Sequence, residues 1–433
     1  MQYRKPGRLA LLACFLLGCG SEEPAVTPTQ AAVPQSATLN AGAAAANPAP
    51  ATNTITIGVI ERLDSAILAE QRELWIYLPE SADDPANIAE YPVVYLLDGQ
   101  GHFHSVSGLI QQLSTVNGNT KSPEMIVVGI PNTDRLRDLT PTHTQGTSGG
   151  GAAFLDFLEQ EVFPHVEASY PASQFRTFIG HSLGGLMAIE ALIERPELFA
   201  NYVAIDPSLW WDNRAILHKA EAALQDSDFT GKSLFVGIAD TMRDGITLEN
   251  VREDTNPQTD HIRAILQFVD TAEETTAHNN LGFVSTFYEN DNHGSVPLIS
   301  EYDAIRWQFD WYSPSAAISD HYNPELPDAP REVVRLVEEH YAMLSQRFGY
   351  EFAPPLGWVN GRANDFVFSE KLQTARALYL MNVANYPDDG RTHAALADYF
   401  VGAGDEASAR THFGHAIGLG LDIDMEQRLS GFD

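Results

Sequence analysis

Residues 175–193 read Phe-Arg-Thr-Phe-Ile-Gly-His-Ser-Leu-Gly-Gly-Leu-Met-Ala-Ile-Glu-Ala-Leu-Ile. The short apolar run ending at Ile179 predicts a strand, and the apolar spacing from Leu183 to Ile193 predicts a helix. Between them lies Gly180-His181-Ser182-Leu183-Gly184, a G-x-S-x-G pattern. A serine at such a junction sits in a tight, strained turn that lifts its hydroxyl above the sheet. Gly180 and Gly184 leave room for that turn, and Gly185 lets the helix approach neighbouring strands. The pattern alone does not decide, because Gly146-Thr147-Ser148-Gly149-Gly150 fits it too. That second match lies in a polar, glycine-rich loop with no strand ahead of it. Context therefore selects Ser182 as the candidate nucleophile and sets Ser148 aside.

Working outward, further strands are predicted over Leu74–Leu78, Tyr91–Leu97, Met125–Ile130, Asn201–Ile205, Ser233–Ile238 and Gly282–Tyr288. The runs Tyr91–Leu97 and Met125–Ile130 are apolar throughout, as strands buried on both faces are. Helical stretches intervene, notably Ala152–Val166. This alternation implies an α/β fold with a doubly wound, mostly parallel sheet and a site at the carboxyl ends of its strands. After about Ser315 the pattern is helical only. Residues 372–418 resemble tetratricopeptide-like helix pairs in weak form, with breaks at Tyr386-Pro387 and Gly404-Asp405. The expected division is an α/β domain over 54–315 and an all-helical extension over 316–433. That extension is either a cap on the α/β body or a surface for a protein partner.

A serine hydroxyl needs a base to take its proton. On this architecture the order along the chain is serine, acid, histidine. His218 and His261 fall in helical stretches and His278 precedes a strand. His293 follows the strand ending at Tyr288 and sits in the polar loop 289–295, which makes it the candidate base. Asp240, just past Ser233–Ile238, is the candidate acid, with Asp244, Asp254 and Asp260 as rivals and a Ser-His dyad as a further possibility. An oxyanion hole needs two backbone donors. Leu183, directly after the serine, supplies one; the loop Asp98-Gly99-Gln100-Gly101 is placed to supply the other, with Gln100 as the choice.

The stretches YPVVYLLDGQGHF (91–103), VVGIPNTDRLRDLTP (127–141), the serine turn, DPSLWW (206–211) and NDNHGSV (290–296) together resemble the putative-esterase family. This family includes esterase D-like enzymes, siderophore esterases, feruloyl esterases and mycolyltransferases. The resemblance covers about Thr54 to Ser313. It implies an α/β-hydrolase fold and a metal-independent ester hydrolysis that uses no cofactor, with Ser182 and His293 in the roles given above. The acid position matches least well. In siderophore esterases a comparable arginine segment lies near the substrate, which makes Arg135, beside Arg137, a substrate-binding candidate for a carboxylate or phenolate. Trp210 and Trp211 are candidates for an acyl or aromatic pocket, with core packing expected to claim at least one of them.

Arg4, Lys5 and Arg8 precede the apolar stretch Leu9–Leu17, too short to span a bilayer and shaped like a signal peptide. It ends Leu16-Leu17-Gly18-Cys19, which resembles a bacterial lipobox and marks Cys19 for lipidation. The expectation is a signal over 1–19 and an exported cell-envelope lipoprotein, bound to the membrane only through that lipid. Residues 20–53, rich in Ala, Pro, Thr and Ser, read as a disordered tether. A net charge of -32 repels phosphate backbones and argues against nucleic acid as a partner. The expected partner is a small-molecule ester. An acyltransferase using the same machinery and a non-catalytic tethered binding protein are the competing readings.

Overall fold

Tyr91–Leu97, Ile126–Ile130 and Asn201–Ile205 are buried along their entire length; the first two are uninterrupted apolar runs and the third is apolar after Asn201. In the computed structural model, which describes residues 54–83 and 90–429, they form β3, β4 and β6 of one eight-stranded sheet. The other strands are β1 (Val59–Ser65), β2 (Glu70–Tyr77), β5 (Ala172–His181), β7 (Ser233–Ala239) and β8 (Gly282–Tyr288). Their spatial order is β1-β2-β4-β3-β5-β6-β7-β8. The pairs β1–β2 and β2–β4 are antiparallel, and every pairing from β4 across to β8 is parallel. The chain winds one way from β3 and the other way from β5, so the switch point lies between those two strands. The loops at Asp98 and Ser182 begin at their carboxyl ends, the position at which doubly wound sheets place their ligand sites.

Alternation along β3 divides the core between the two faces of the sheet. Tyr95 and Leu97 pack on one face with Phe178, Phe199 and Tyr202. Val94 and Leu96 pack on the other with Ile179, Val203 and Phe235. Helices α1 (Gly99–Ser114), α2 (Leu183–Glu194), α3 (Trp211–Asp226), α4 (Asp260–Asn279) and α5 (Val296–Gln308) cover these faces. Leu186 and Ile189 of α2 and Ile262 and Phe268 of α4 join the first core. Val106 and Ile110 of α1 and Ile305 of α5 join the second. The helix expected over Ala152–Val166 is present but contains a π-helical turn, Leu158–Val162. The strand not anticipated from sequence is β1. It lies at the sheet edge with Val59 and Ile60 exposed, so its apolar residues carry no burial pattern to read.

The helical extension shares the second core. In α6 (Ala329–Phe348), Val333, Val337, Tyr341, Leu344 and Phe348 recur at helical spacing and pack into it. Phe348 meets Phe175 edge-on at 5.0 Å, and the Tyr350 hydroxyl donates to the Glu90 carbonyl at 3.1 Å. Phe175 and Glu90 stand at the amino ends of β5 and β3, so α6 docks at the end of the sheet opposite Ser182. Helices α7 (Leu372–Asn385), α8 (Gly390–Gly402) and α9 (Glu406–Gly418) follow, separated where the sequence breaks were read. No helix among the described residues is long and apolar enough to cross a membrane. The signal, Cys19 and the tether lie outside the described residues.

Glu190 of α2 is buried, and its Oε2 has no hydrogen-bond partner. Burial pushes its carboxyl up from 4.5 to about 7, against a weaker opposing pull from Lys219. The unfolded chain loses this proton near 4.5 while the fold retains it to about 7. The associated stabilisation is therefore fully present below about 4.5 and lost as pH rises through about 7. Glu190→Gln keeps the shape without the charge. It should raise unfolding stability by about 3 kcal/mol at pH 8 and change little at pH 4. Urea unfolding at both pH values measures this, and equal effects at the two would refute it.

Candidate functional site

Ser182 occupies the junction between β5 and α2 with φ 61° and ψ -113°, the strained conformation its sequence context predicts. Close approach explains the neighbouring glycines. A Cβ on Gly180 would stand 2.2 Å from the Gly184 carbonyl oxygen, and one on Gly185 would lie 3.1 Å from Pro207. The turn is fixed to β6 and the segment after it: Ser182 N donates to the Ile205 carbonyl at 2.9 Å, and Ser208 N donates to the Ser182 carbonyl at 3.0 Å. The hydroxyls of Ser182 and Ser208 are 3.2 Å apart. Ser148, the other pattern match, is buried and staples its own loop, donating to the Gln145 carbonyl and accepting from Thr144 N.

His293 lies in the loop after β8, its ring 4.5 Å from that of His181, next to the serine. Its side chain is 44% exposed. Its Nδ1 is 2.5 Å from Oδ2 of Asp206. The expectation that Asp240 meets this histidine is corrected here. Asp240 follows β7 as anticipated, but its carboxylate accepts from Met242 N at 3.0 Å and so closes its own turn. Its backbone N–H donates to the Asp291 carbonyl at 2.8 Å, steadying the loop that carries His293. The rivals are engaged elsewhere or exposed. Asp254 caps Asn256 N and accepts from Thr259, Asp260 pairs with Arg214, and Asp244 is exposed.

Asp206 is the first residue past β6, turned by a positive φ of 42°, and fully buried. Its Oδ1 accepts from Ala239 N at 3.1 Å, and its Oδ2 also accepts from Nε2 of His261 at 2.8 Å. Burial alone would push this carboxyl up, but the hydrogen bonds from His261 and His293 outweigh it and hold it at about 2. An ionised carboxylate only accepts, so Nδ1 of His293 carries the proton and Nε2 is left as the free lone pair. Sequence reasoning missed both Asp206 and His261. Asp206 was visible at the head of the DPSLWW stretch and obeys the same strand-end rule as Asp240. His261 gave no signal, since a histidine in the first turn of a helix looks incidental.

The two expected oxyanion donors lie at helix starts. Leu183 opens α2 and Gln100 is the second residue of α1, positions whose N–H groups have no partner within their own helix. The two loops are tied together. Arg135 donates to both carboxylate oxygens of Asp98, at 2.6 and 3.0 Å, and to the His181 carbonyl at 3.1 Å. Burial raises the Asp98 carboxyl, but the Arg135 hydrogen bond and charge outweigh that and leave it low. Asn132 Nδ2 reaches Asp98 as well, and Asn132 N donates to the Gln100 side chain. Gly99 makes the first loop possible, because a Cβ there would stand 2.7 Å from Ile130 N. The substrate-binding expectation for Arg135 is thereby corrected: its fork is taken up by Asp98 and His181, which makes it a clamp. Arg137 is likewise paired with Glu70 and Asp138. Trp210 is 43% exposed, whereas Trp211 is buried and donates to the Thr142 hydroxyl.

Two more histidines complete the surroundings. His181 is held well below its ordinary value, at about 4, first by burial and then by neighbouring histidines, so it is uncharged. His102 of α1 donates to the buried Glu301 at 2.9 Å, and that hydrogen bond raises its pKa.

A family model described as "Putative esterase" matches residues 65–293. A siderophore triacetylfusarinine C esterase of Aspergillus fumigatus is 33% identical over 145 residues, 31% of this chain and 50% of that protein. The ferri-bacillibactin esterase BesA of Bacillus subtilis is 29% identical over 190 residues, 39% of this chain and 65% of that protein. The chain thus spans between half and two thirds of the length of these curated relatives. The crystal structure of an IroE-like serine hydrolase from Shewanella oneidensis superposes with a TM-score of 0.61 at 31% identity, covering 75% of this chain and 98% of that one. An uncharacterised protein from Capnocytophaga ochracea shares the fold over 86% of this chain, with a TM-score of 0.56 at 19% identity.

Proposed function

The chain belongs to the putative-esterase family of α/β hydrolases, and from that membership we propose that it is a serine carboxylic ester hydrolase working through an acyl-enzyme. The observation that carries this reading is the strained serine at the switch point, with the ring of the adjacent His181 4.5 Å from a histidine locked onto a buried, ionised carboxylate. In the proposed cycle the Ser182 hydroxyl turns from Ser208 toward Nε2 of His293 and attacks the ester carbonyl. His293 takes the proton and becomes a cation, which Asp206 stabilises. Leu183 N and Gln100 N hold the developing oxyanion, their spacing kept by the Arg135 clamp. His293 then protonates the departing alcohol, and water, activated by the same imidazole, releases the acid.

The substrate proposed is a siderophore-type ester, supported by the activities that the curated relatives' names state. A fluorophosphonate probe and a panel of p-nitrophenyl esters test the chemistry directly. Failure of the chain to label, together with no turnover on any ester, would overturn the reading. Hydrolysis of simple esters without turnover of triscatecholate or fusarinine esters would overturn only the substrate class.

The proposed address is the bacterial cell envelope, with Cys19 lipidated and residues 20–53 as a spacer. Cells fed a clickable palmitate analogue should label the wild-type chain and not Cys19→Ala. Equal labelling of the two would refute the anchor.

A further inference from the structure

Asp206, His261 and His293 form a constellation that serine chemistry does not fully use. A base needs one carboxylate behind it, yet here two imidazoles converge on the same carboxylate oxygen, at 2.5 and 2.8 Å. The geometry points to an inhibitory site for a divalent first-row transition cation of the zinc class, built from these three side chains. The inference rests on the serine-esterase reading for its consequence, and not for the binding itself.

One ligand atom from each residue lies within 4.8 Å of the others. Two imidazole nitrogens and one carboxylate oxygen are a donor set that suits zinc, nickel, copper or ferrous iron, with further positions left for water. The carboxylate is oriented from behind, since Oδ1 is held by Ala239 N while Oδ2 faces both rings. Both rings are partly exposed, the His293 side chain at 44% and that of His261 at 18%, while Asp206 between them is buried. A chain of net charge -32 raises the local concentration of cations around it.

The inhibition follows from proton placement. At rest, Nδ1 of His293 donates to Asp206, and Nε2 is the lone pair that accepts the serine proton. A cation on Nδ1 takes that nitrogen's lone pair, so the neutral ring must carry its single proton on Nε2. His261 undergoes the same exchange, moving its proton from Nε2 to Nδ1. No proton leaves either ring; each changes nitrogen through solvent. An Nε2–H cannot accept a proton, so Ser182 stays unactivated while the cation is bound.

The test is zinc chloride inhibition of p-nitrophenyl acetate hydrolysis by the full chain, with reversal by a chelator. Each protein is read as the ratio of its inhibited to its uninhibited rate, so a lowered basal rate does not enter. His261→Phe should raise the half-inhibiting zinc concentration by at least about tenfold, and His261→Gln serves if that variant fails to fold. The other histidine group provides the control. His393 and His412 have Nδ1 atoms 3.1 Å apart, with the His415 ring 5.2 Å from that of His393. His412→Ala with His415→Ala should leave inhibition unchanged. Calorimetric titration of Ser182→Ala with zinc chloride isolates binding from turnover, and the strong binding event should vanish on adding His261→Phe. Zinc-insensitive wild-type turnover, or equal sensitivity in both His261 variants, would overturn the proposal. Tight zinc binding by Ser182→Ala in a chain that never hydrolyses an ester would instead leave the cation site standing and sink the esterase reading.

Discussion

Ser182→Ala will lower kcat for p-nitrophenyl ester hydrolysis by about four to six orders of magnitude and abolish fluorophosphonate labelling. The effect is large because the serine, its base and the orienting carboxylate act as a unit, so removing the nucleophile forfeits what the other two supply. A residue of rate should persist, since Leu183 N and Gln100 N can still polarise a carbonyl for attack by water. Two other serines make the experiment discriminating. Ser208 lies within hydrogen-bonding reach of the nucleophile, and its alanine variant should alter the rate far less. Ser148 satisfies the same short sequence pattern but is committed to its own loop, so Ser148→Ala should label normally. Persistent labelling of Ser182→Ala would move the nucleophile elsewhere.

Asp206→Asn should lower kcat by about four orders of magnitude with little change in fold, and Asp240→Asn should leave turnover near wild type. The carboxylate accepts from Ala239 N at one oxygen and from both imidazoles at the other, and a carboxamide can accept at only one of its two atoms. Where its NH2 faces His293, the ring must present an unprotonated Nδ1 and carry its proton on Nε2, the wrong tautomer for a base. Because Asp206 is held at about 2, it stays ionised across the working pH range, and loss of its proton does not limit activity at neutral pH. Steady-state kinetics of both variants settle the assignment. A crippled Asp240→Asn beside an active Asp206→Asn would reverse it.

The parts of this molecule that could be read in advance are those with a local cause. Tyr91–Leu97 and Met125–Ile130 announce buried parallel strands because every residue in them is apolar. Ser182 is legible because a strand, a glycine-flanked turn and a helix are contiguous in the chain, and His293 because it follows a strand in a polar loop. β1 was not legible, since an edge strand with exposed apolar residues lacks the alternation that burial imposes. The proposed acid was not legible for a different reason. Asp206 and Asp240 both stand one step past a parallel strand, and what separates them is the direction each carboxylate takes. A left-handed φ turns Asp206 inward, while a local turn to Met242 N absorbs Asp240. Arg135 illustrates the same gap: its charge was evident in the sequence, but its engagement with Asp98 depends on a contact 37 residues away.

Synthesis of this chain is ordered in a way the docking of α6 makes consequential. Every residue assigned to the proposed chemistry is encoded by position 293, yet the aromatic patch formed by Phe175, Phe309 and Tyr312 is covered only when residues 329–348 arrive. A nascent or truncated chain ending near residue 315 would carry all the reactive groups and present that patch to water. The interval before the last hundred or so residues emerge is therefore when the polypeptide is most exposed to self-association and to chaperone capture. Residues 329–348 are thus the segment whose arrival would shield this patch.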